Sequence, residues 1–342
     1  MKKKILVTGG TGYIGSHTAV ELLNEGFDVV IIDSLYNSEA EVIDRIRSIT
    51  GTRPDLEVFD LCNQQDLDSF FKKHSGIEAI IHFAAFKAVG ESVYKPLEYY
   101  RNNLVSLMNL LESMKKYRIP GLVFSSSCTV YGQPEKLPVA EDAPIQPAMS
   151  PYGNTKQIGE EIIRDTTTAY ENIKAISLRY FNPIGAHPSG LIGELPRGVP
   201  ENLVPYITQT AIGLREELKV FGNDYDTPDG SCIRDYLHVV DLARAHVIAV
   251  KRLVENRNAS DYEVFNLGTG NGVSVLEAIE SFERVSGKKL KYRITGRRPG
   301  DIEKIWANPS LANRELGWKT ISTLDDAMKT AWEWEKTIRK NP

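Results

Sequence analysis

The chain is poor in cysteine, in long apolar runs and in charge of one sign. Its 342 residues include 3 cysteines, 45 acidic and 41 basic residues, with a formal net charge of -4. No apolar run approaches the roughly 18 residues that a membrane helix needs. Cys62, Cys128 and Cys232 are too scattered for a thiolate metal site, and the histidines form no ligand-spaced pair. We therefore expect no membrane span, no metal, no nucleic-acid partner and a reducing, cytoplasmic location.

A glycine-rich turn, Thr8-Gly-Gly-Thr-Gly-Tyr-Ile-Gly15, follows the apolar run at residues 4–7 and precedes a helical pattern over 16–25. Glycines in such a turn let the backbone approach a pyrophosphate at the positive end of a helix. A second apolar run, 28–32, ends in Asp33, where an acidic side chain meets the ribose of NAD and repels the extra phosphate of NADP. A glycine-rich turn alone is also typical of ordinary loops, and an aspartate in the place of Asp33 is also typical of a helix cap. Together they predict an NAD site.

Strand and helix patterns alternate through the first half of the chain. Strand-like runs at 56–59, 79–85, 121–127 and 175–180 alternate with helical patterns at 38–49, 65–74, 96–117 and 152–170. Such alternation means right-handed crossovers and a parallel sheet. After residue 182, prolines and shorter mixed elements replace this rhythm. We expect an α/β fold: a Rossmann-type doubly wound parallel sheet over 1–181, with returns from about 236–267, and a smaller mixed α/β C-terminal substrate domain over 182–342.

Tyr152 and Lys156 stand four residues apart in a helical pattern and therefore share one helix face. A nearby cation stabilises a phenolate, so a tyrosine with an ordinary pKa of about 10 can become a general base for a sugar hydroxyl. Ser127, at the carboxyl end of a strand, can donate to the same hydroxyl. Tyr170 and Lys174 have the same spacing at a helix end, without a serine partner, and we interpret them as a solvated face.

These residues together resemble the extended short-chain dehydrogenase/reductase family, and within it the branch of UDP-glucose 4-epimerases. The resemblance runs nearly from end to end and is also carried by residues 82–92, 125–132, 179–187, 221–230 and 234–238. It implies reversible hydride transfer from carbon 4 of a UDP-hexose to NAD through a 4-keto sugar, which interconverts UDP-galactose and UDP-glucose. It also implies a homodimer built on the helices that begin near Pro96 and Tyr152.

The resemblance further implies a role for each matching position. Tyr152 removes the 4-hydroxyl proton, Lys156 binds the nicotinamide ribose and keeps the tyrosine anionic, and Ser127 orients the hydroxyl. The other positions that match cofactor contacts are Gly9, Gly12, Tyr13, Ile14, Gly15, Asp33, Asp60, Leu61, Phe83, Ala84, Lys87, Asn102 and Phe181. Besides Ser127, the positions that match nucleotide-sugar contacts are Asn182, Asn202, Leu203, Phe221, Arg234, Arg298, Asp301 and Ile305.

Other reactions and a non-catalytic role remain open. The family pattern of the similar 4,6-dehydratases carries an Asp-Glu pair just after the position that matches Ser127, because losing water needs an extra acid and base. Here Cys128 and Thr129 occupy those places, which disfavours dehydration. The alternatives are a 4-epimerase of UDP-N-acetylhexosamines or UDP-glucuronate and a non-catalytic NAD-sensing module. A sensing module needs the glycine turn but not tyrosine, lysine and serine together.

The substrate residues also have simpler explanations. Arg234 beside Asp235 and Arg298 near Asp301 are typical of surface ion pairs as well as of diphosphate binding. Ile305 matches a position where, by the resemblance, a bulky tyrosine excludes N-acetylated sugars and a small residue admits them. Isoleucine is neither extreme, so UDP-glucose and UDP-galactose are the expected main pair and N-acetylated sugars the poorer one.

Overall fold

The computed structural model describes residues 2–298 and 302–340. The chain forms two compact units: the first comprises Met1–Gly132, Ile145–Arg179 and Ala243–Phe265, and the second comprises Gln133–Pro144, Tyr180–Leu242 and Asn266–Pro342. The domain boundary expected after residue 181 stays a prediction. None of the helices in the described ranges combines the length and hydropathy that crossing a membrane requires.

The bounds of the strands and helices are as follows. The strands are β1 Lys4–Thr8, β2 Asp28–Asp33, β3 Asp55–Val58, β4 Ile77–His82, β5 Gly121–Ser125, β6 Lys174–Tyr180, β7 Asn182–Ile184, β8 Leu218–Phe221, β9 Ile233–Arg234, β10 Tyr236–His238, β11 Tyr262–Leu267, β12 Val273–Ser274 and β13 Tyr292–Thr295. The helices are α1 Tyr13–Asn24, α2 Val42–Thr50, α3 Gln64–Lys73, α4 Val89–Tyr94, α5 Pro96–Tyr100, α6 Ser106–Tyr117, α7 Pro151–Ala169, α8 Leu203–Ala211, α9 Val239–Val254, α10 Val275–Ser286, α11 Ser310–Glu315 and α12 Leu324–Lys340. A π-helical turn, Arg101–Val105, joins α5 to α6, and a 3₁₀ turn, Cys128–Tyr131, follows β5.

The main sheet has seven strands in the order β11-β6-β5-β4-β1-β2-β3. Strands β1 to β6 pair in parallel, with Ile5 of β1 opposite Val29 of β2 and Ala79 of β4. The chain first builds the sheet outward from β1 to β3 and then restarts on the other side at β4, so the strand order switches between β1 and β4. The doubly wound sheet expected from the sequence is confirmed, with Tyr262–Leu267 as its strand β11. The other expected return is not seen at its first strand, since Tyr236–His238 pairs with β7 outside this sheet. Ligands bind at such switch points, outside the carboxyl ends of the strands.

Apolar strands and helix faces form the core of the first unit. Leu6 of β1, Ile80 of β4 and Leu122 of β5 are fully buried, as expected for a parallel sheet covered on both faces. Leu107 and Leu110 of α6 pack into the same cluster. The strands therefore read as continuous apolar runs, and their carboxyl ends carry the polar residues of the site.

Two helices begin at residues that their sequence patterns did not predict. Helix α1 begins at Tyr13, three residues before its predicted start, so the glycine turn runs directly into its first turn. Helix α2 begins at Val42 and not at Ser38. The Ser38 hydroxyl instead donates to Asp33 Oδ1 at 3.1 Å, because a serine side chain near a carboxylate competes with helix formation.

The second unit has its own core and three short two-stranded sheets. Strands β7 and β10 pair in parallel, as do β8 and β13, whereas β9 and β12 are antiparallel. The core gathers apolar side chains of α8, α10 and α12, including Ile207, Phe282 and Trp332. The rings of Phe282 and Trp332 meet edge to face, with centroids 5.6 Å apart.

Candidate active site

The glycine turn brings three backbone segments into close approach. Gly9 has φ of +70°, and a Cβ atom there would lie 2.8 Å from Ala84 N. At Gly15, a Cβ atom would lie 2.2 Å from the Gly9 carbonyl oxygen. Gly12 is the N-cap of α1, and no side chain caps the helix. No side chain caps the first N–H groups of α1, and the glycines of the turn have no side chains that would block access to these groups. Such a helix start suits a pyrophosphate.

Asp33 is held at the end of β2 by the turn itself. One carboxylate oxygen, Oδ2, accepts from Thr11 N at 3.1 Å, and Oδ1 accepts from Leu35 N at 2.9 Å. The side chain is 7% exposed, and Leu35 has a positive φ of 57°. The acidic side chain thus lies against the glycine turn, where an adenosine ribose is expected.

Further predicted cofactor residues lie around the same turn. Phe83 N donates to Thr8 O at 3.0 Å, so Phe83 and Ala84 leave β4 beside the end of β1. The Lys87 ammonium lies 5.9 Å from the centroid of the Tyr13 ring, on the first turn of α1. The structure therefore brings Phe83, Ala84 and Lys87 together with the glycine turn.

Two other predicted cofactor positions follow β3. Asp60 is exposed, and its Oδ1 accepts from Cys62 N at 2.9 Å. Leu61 is buried, and its carbonyl oxygen accepts from Asn109 Nδ2 at 2.9 Å. Both residues thus leave the carboxyl end of a strand that neighbours β2.

Tyr152, Lys156 and Ser127 come from neighbouring elements of the first unit. Tyr152 lies in the first turn of α7, 8% exposed, and Lys156 Nζ is 5.8 Å from the centroid of its ring. Ser127 caps the 3₁₀ turn and accepts from Thr129 N at 3.2 Å. A Cβ atom at Gly153 would lie 3.4 Å from Thr129, so the start of α7 packs on this turn.

Burial dominates the electrostatics of Lys156. The side chain is 4% exposed, and its ammonium donates to Ser125 O at 2.6 Å. Burial lowers the pKa of Lys156 to about 8, against the opposing charge of Glu160. Burial and the charge of Lys156 lower the pKa of His82 to about 3, so this imidazole is neutral in the working range. The site thus holds a lysine whose charge is sensitive to pH near neutrality.

Asn103 is a site residue that the sequence analysis missed. It lies in the π-helical turn, where the helix carries an extra residue, and is 7% exposed. Its Oδ1 accepts from Phe86 N at 2.8 Å, and its Nδ2 donates to Thr155 Oγ1 at 3.1 Å. The hydroxyl of Thr155 in turn donates to Tyr152 O at 2.7 Å. Asn103 therefore ties the segment after β4 to the helix that carries Tyr152.

Asn102, a predicted cofactor residue, precedes Asn103 in this turn and donates from Nδ2 to Asn103 Oδ1 at 2.9 Å. The helical periodicity at 96–117 predicted one continuous helix and carried no sign of the extra residue. A pair of asparagines inside an apolar helical stripe was the available signal, because asparagine is unfavourable within a helix.

The second unit holds the remaining predicted positions. Phe181 is buried, and Asn182 begins β7, where its N–H donates to Asp235 O at 2.9 Å. Asn202 is the N-cap residue of α8, and its Nδ2 donates to Glu194 Oε1 at 2.6 Å. Leu203, the first residue of α8, packs against the core of this unit.

Four predicted substrate positions form two local pairs in the second unit. Ile233 O accepts from Arg234 Nη1 at 2.8 Å and from Ile305 N at 3.1 Å. Arg234 and Ile305 therefore bind the same backbone carbonyl. The Arg298 guanidinium lies 5.6 Å from the centroid of the Phe221 ring. The remaining predicted substrate position, Asp301, lies outside the described residues.

Asp235 does not serve as a simple surface partner for Arg234. It is fully buried, and its carboxylate accepts from Thr269 N at 2.8 Å, Gly270 N at 3.2 Å and Ala307 N at 3.1 Å. Burial raises the pKa of Asp235, although these bonds oppose that effect. The acid next to Arg234 therefore binds two backbone segments of the second unit, residues 269–270 and residue 307.

The fold and the first-unit site together define a class of protein. A doubly wound sheet, a dinucleotide-type glycine turn with Asp33, and a buried Tyr152–Lys156 pair on one helix face are the features of a short-chain dehydrogenase/reductase. The family model described as GDP-mannose 4,6 dehydratase matches residues 6–331. Because proteins named UDP-glucose 4-epimerase are 50% and 52% identical to it over nearly its whole length, the chain belongs, more narrowly, to the family of UDP-glucose 4-epimerases.

Relatives of that family match nearly the whole chain. The UDP-glucose 4-epimerase of Bacillus subtilis is 52% identical over 333 residues, with 97% of each chain covered. The human UDP-glucose 4-epimerase is 50% identical over 342 residues, which cover 98% of this chain and 97% of the human one.

Solved structures of the same family are also close. The UDP-glucose-4-epimerase of Stenotrophomonas maltophila, with bound NAD and formylated UDP-arabinopyranose, has a TM-score of 0.96 at 47% identity, covering 99% of this chain and 100% of that chain. The Bifidobacterium longum enzyme, in complex with NAD+ and UDP, has a TM-score of 0.94 at 45% identity, covering 99% of each chain.

Proposed function

We propose that this protein is an NAD-dependent isomerase that interconverts UDP-galactose and UDP-glucose by inverting carbon 4 of the sugar. The buried Tyr152–Lys156 pair, with the ammonium 5.8 Å from the ring centroid, is the observation that carries the catalytic part of the proposal. Relatives that are named UDP-glucose 4-epimerase support the substrate, and solved relatives that hold NAD support the cofactor. A non-catalytic sensing module has no use for such a pair.

The residues of the glycine turn fit this cofactor. Side chains at Gly9 or Gly15 would collide with backbone atoms, and the uncapped start of α1 faces the turn. The turn and Asp33 bind the pyrophosphate and the adenosine ribose. NAD held by these residues would supply a reversible hydride acceptor for carbon 4 of the sugar.

The side chains of the chain handle the proton and the orientation of the sugar. Tyr152 takes the proton of the 4-hydroxyl, and the Lys156 ammonium stabilises the phenolate that does so. Ser127 Oγ accepts from Thr129 N, which leaves its own O–H to donate to the same sugar oxygen. Arg234 and Arg298 hold the diphosphate, so the nucleotide stays anchored while the sugar turns.

Dehydration of a nucleotide sugar is the weaker assignment, although the matching family model carries that name. Removing water requires an additional acid and base beside the reacting carbons. The 3₁₀ turn after Ser127 presents Cys128 and Thr129 at those positions, and neither can serve as a carboxylic acid. The site therefore favours epimerisation.

Incubating the purified protein with UDP-galactose, without added cofactor, tests the proposal directly. Chromatography is expected to show UDP-glucose approaching an equilibrium mixture, because NAD bound during expression is regenerated in each turnover. Absence of product after NAD has also been supplied would contradict the proposed function. Assays with UDP-glucuronate and with UDP-N-acetylhexosamines would then identify the sugar that is used.

N-acetylated sugars are expected to be poorer substrates. Ile305 is 3% exposed, and its N–H donates to Ile233 O at 3.1 Å. We therefore expect its side chain to hold its position and to limit the space for the substituent on the sugar. The kcat/KM for UDP-N-acetylgalactosamine is expected to be at least about 10-fold below that for UDP-galactose, since hydrophobic pockets discriminate added groups by about 1–3 kcal/mol. Equal kcat/KM values for the two sugars would refute this specificity.

The location and the oligomeric state are also part of the proposal. Cys62, Cys128 and Cys232, all within the described ranges, form no disulfide with one another, which supports a reducing, cytoplasmic compartment. A homodimer is supported by large apolar side chains exposed on the helical segment that includes α5 and α6. Leu97 is 76% exposed and Met108 is 41% exposed, and such residues commonly mark protein contacts.

A further inference from the structure

A buried acid continues the helix face that carries the proposed base. Glu160 lies one turn after Lys156 on α7, as Lys156 lies one turn after Tyr152, so the three side chains share a face. Glu160 is 6% exposed, and Arg179 of β6 is 7% exposed. A buried carboxylate is stable only when other groups satisfy it, and its partners therefore indicate its role.

The partners of Glu160 connect the catalytic helix to strand β6 and to the segment that follows β5. Arg179 donates from Nε to Oε1 at 2.9 Å and from Nη2 to Oε2 at 2.6 Å, which is a bidentate pair. Ser126 Oγ donates to Oε1 at 2.5 Å, and Arg179 Nη1 donates to Tyr131 Oη at 3.0 Å. Ser126 immediately precedes Ser127. The carboxylate is therefore fixed between the helix that carries Tyr152 and the segment that carries Ser127.

The other groups around Lys156 and Glu160 do not change charge near neutral pH. His82 of β4 is neutral because burial and Lys156 lower its pKa to about 3. Tyr262 of β11 stays a phenol because burial and the charge of Glu160 raise its pKa. Arg179 stays charged, because its bonds to Glu160 raise its pKa although burial opposes them. The charge of Glu160 opposes the effect of burial on the pKa of Lys156 and so favours the ammonium.

We propose that Glu160 is a positioning residue of the active site: held by Arg179 and Ser126, its carboxylate keeps the buried Lys156 charged beside Tyr152. This inference rests on the proposed function, since the charge of Lys156 matters for turnover only if Tyr152 acts as the base. The Glu160–Arg179 pair thus has an electrostatic role in addition to its contribution to packing.

Glu160→Gln tests the inference without turnover. In full-length protein saturated with NAD and labelled with ¹³Cε-lysine, NMR titration follows Lys156, whose signal is assigned by its loss in Lys156→Met. The glutamine amide keeps the shape of the carboxylate but removes its charge and leaves Arg179 unopposed. The midpoint of Lys156 is expected to fall by about one pH unit, because loss of a nearby opposite charge disfavours the ammonium.

A second buried pair in the first unit provides the matched control. Arg252 donates from Nε and Nη2 to Glu263, both at 2.8 Å, with the two residues 8% and 9% exposed. Glu263→Gln removes a carboxylate from the same kind of bidentate pair on other elements. The Lys156 midpoint is expected to remain at its wild-type value in that variant.

The direction in which the pH dependence of kcat/KM shifts follows from the charge of Lys156. The kcat/KM of the wild type is expected to fall as pH rises through about 8, where Lys156 loses its proton. In Glu160→Gln this fall moves to lower pH by the same amount as the NMR midpoint, whereas activity near pH 6 is largely retained because Lys156 is still charged there. Glu160→Asp, which keeps the charge, restores the wild-type profile in part.

A double variant covers the case in which the lone substitution does not fold. Glu160→Gln combined with Arg179→Met removes both charges, so no unpaired guanidinium remains buried. The Lys156 midpoint is expected to fall by less than in Glu160→Gln, because the repulsive charge of Arg179 is removed as well. A midpoint unchanged from the wild type in a folded charge-free variant, or one equally lowered by Glu263→Gln, would overturn the inference. A wild type that does not convert UDP-galactose overturns the proposed function instead, because the NMR midpoint requires no turnover.

Discussion

Tyr152→Phe is expected to lower kcat for UDP-galactose conversion by about 1,000-fold, within the range that a positioned acid or base contributes to catalysis. The substitution removes one oxygen and keeps the ring. The ring is 8% exposed and packs beside the Lys156 ammonium, so the fold and the cofactor site are expected to be retained. Steady-state kinetics and NAD titration of the same preparation measure both quantities.

The chain offers its own control for this substitution. Tyr170 and Lys174 repeat the spacing of Tyr152 and Lys156, but Tyr170 Oη accepts from Lys115 Nζ at 2.9 Å and Lys174 pairs with Asp261. Tyr170→Phe is therefore expected to keep wild-type kcat. Undiminished turnover by Tyr152→Phe would remove Tyr152 from the role of base, whereas loss of turnover with retained NAD binding separates the enzyme from a sensing module.

Gly15→Ala is expected to weaken NAD binding by about 100-fold, because overpacking of about 1–3 kcal/mol must be relieved by moving the turn. A Cβ atom at Gly15 would lie 2.2 Å from Gly9 O and 2.8 Å from Gly10 Cα. Both are backbone atoms, which cannot rotate away as a side chain does. The gain in helix propensity from glycine to alanine, up to about 1 kcal/mol, is smaller than this clash.

Gly296→Ala is the matched control, because a Cβ atom there has no neighbour within 4 Å and the backbone is not in the left-handed region. Isothermal titration with NAD and a thermal unfolding curve for each variant separate lost binding from lost stability. If Gly15→Ala binds NAD as tightly as Gly296→Ala does, the turn is not the pyrophosphate site.

Much of the first unit was predictable because its signals are local. The apolar runs that became β1 and β2 are buried on both faces of the sheet, and such strands read as unbroken hydrophobic stretches. The spacing of Tyr152 and Lys156 determines a shared face once α7 forms. The helix boundaries were less predictable. The Ser38 hydroxyl donates to Asp33, and α2 begins only at Val42.

The residues that brace the site were not predictable, because their bonds join distant parts of the chain. Asn103 bonds to Thr155 across 52 positions, and Glu160 bonds to Arg179 across 19. From the sequence, Asp235 is typical of an ion-pair partner for its neighbour Arg234. Its carboxylate instead accepts from Thr269 and Ala307, 34 and 72 positions away.

The amino-acid sequence by itself therefore determined the alternation of strands and helices, the glycine turn and the identity of the Tyr152–Lys156 pair, since each depends on residues a few positions apart. The tertiary structure decided the strand order, the closeness of Gly9 to Ala84, and the buried setting that lowers the pKa of Lys156 to about 8. These features arise only when remote segments pack together, because burial and charge act through space and not along the chain.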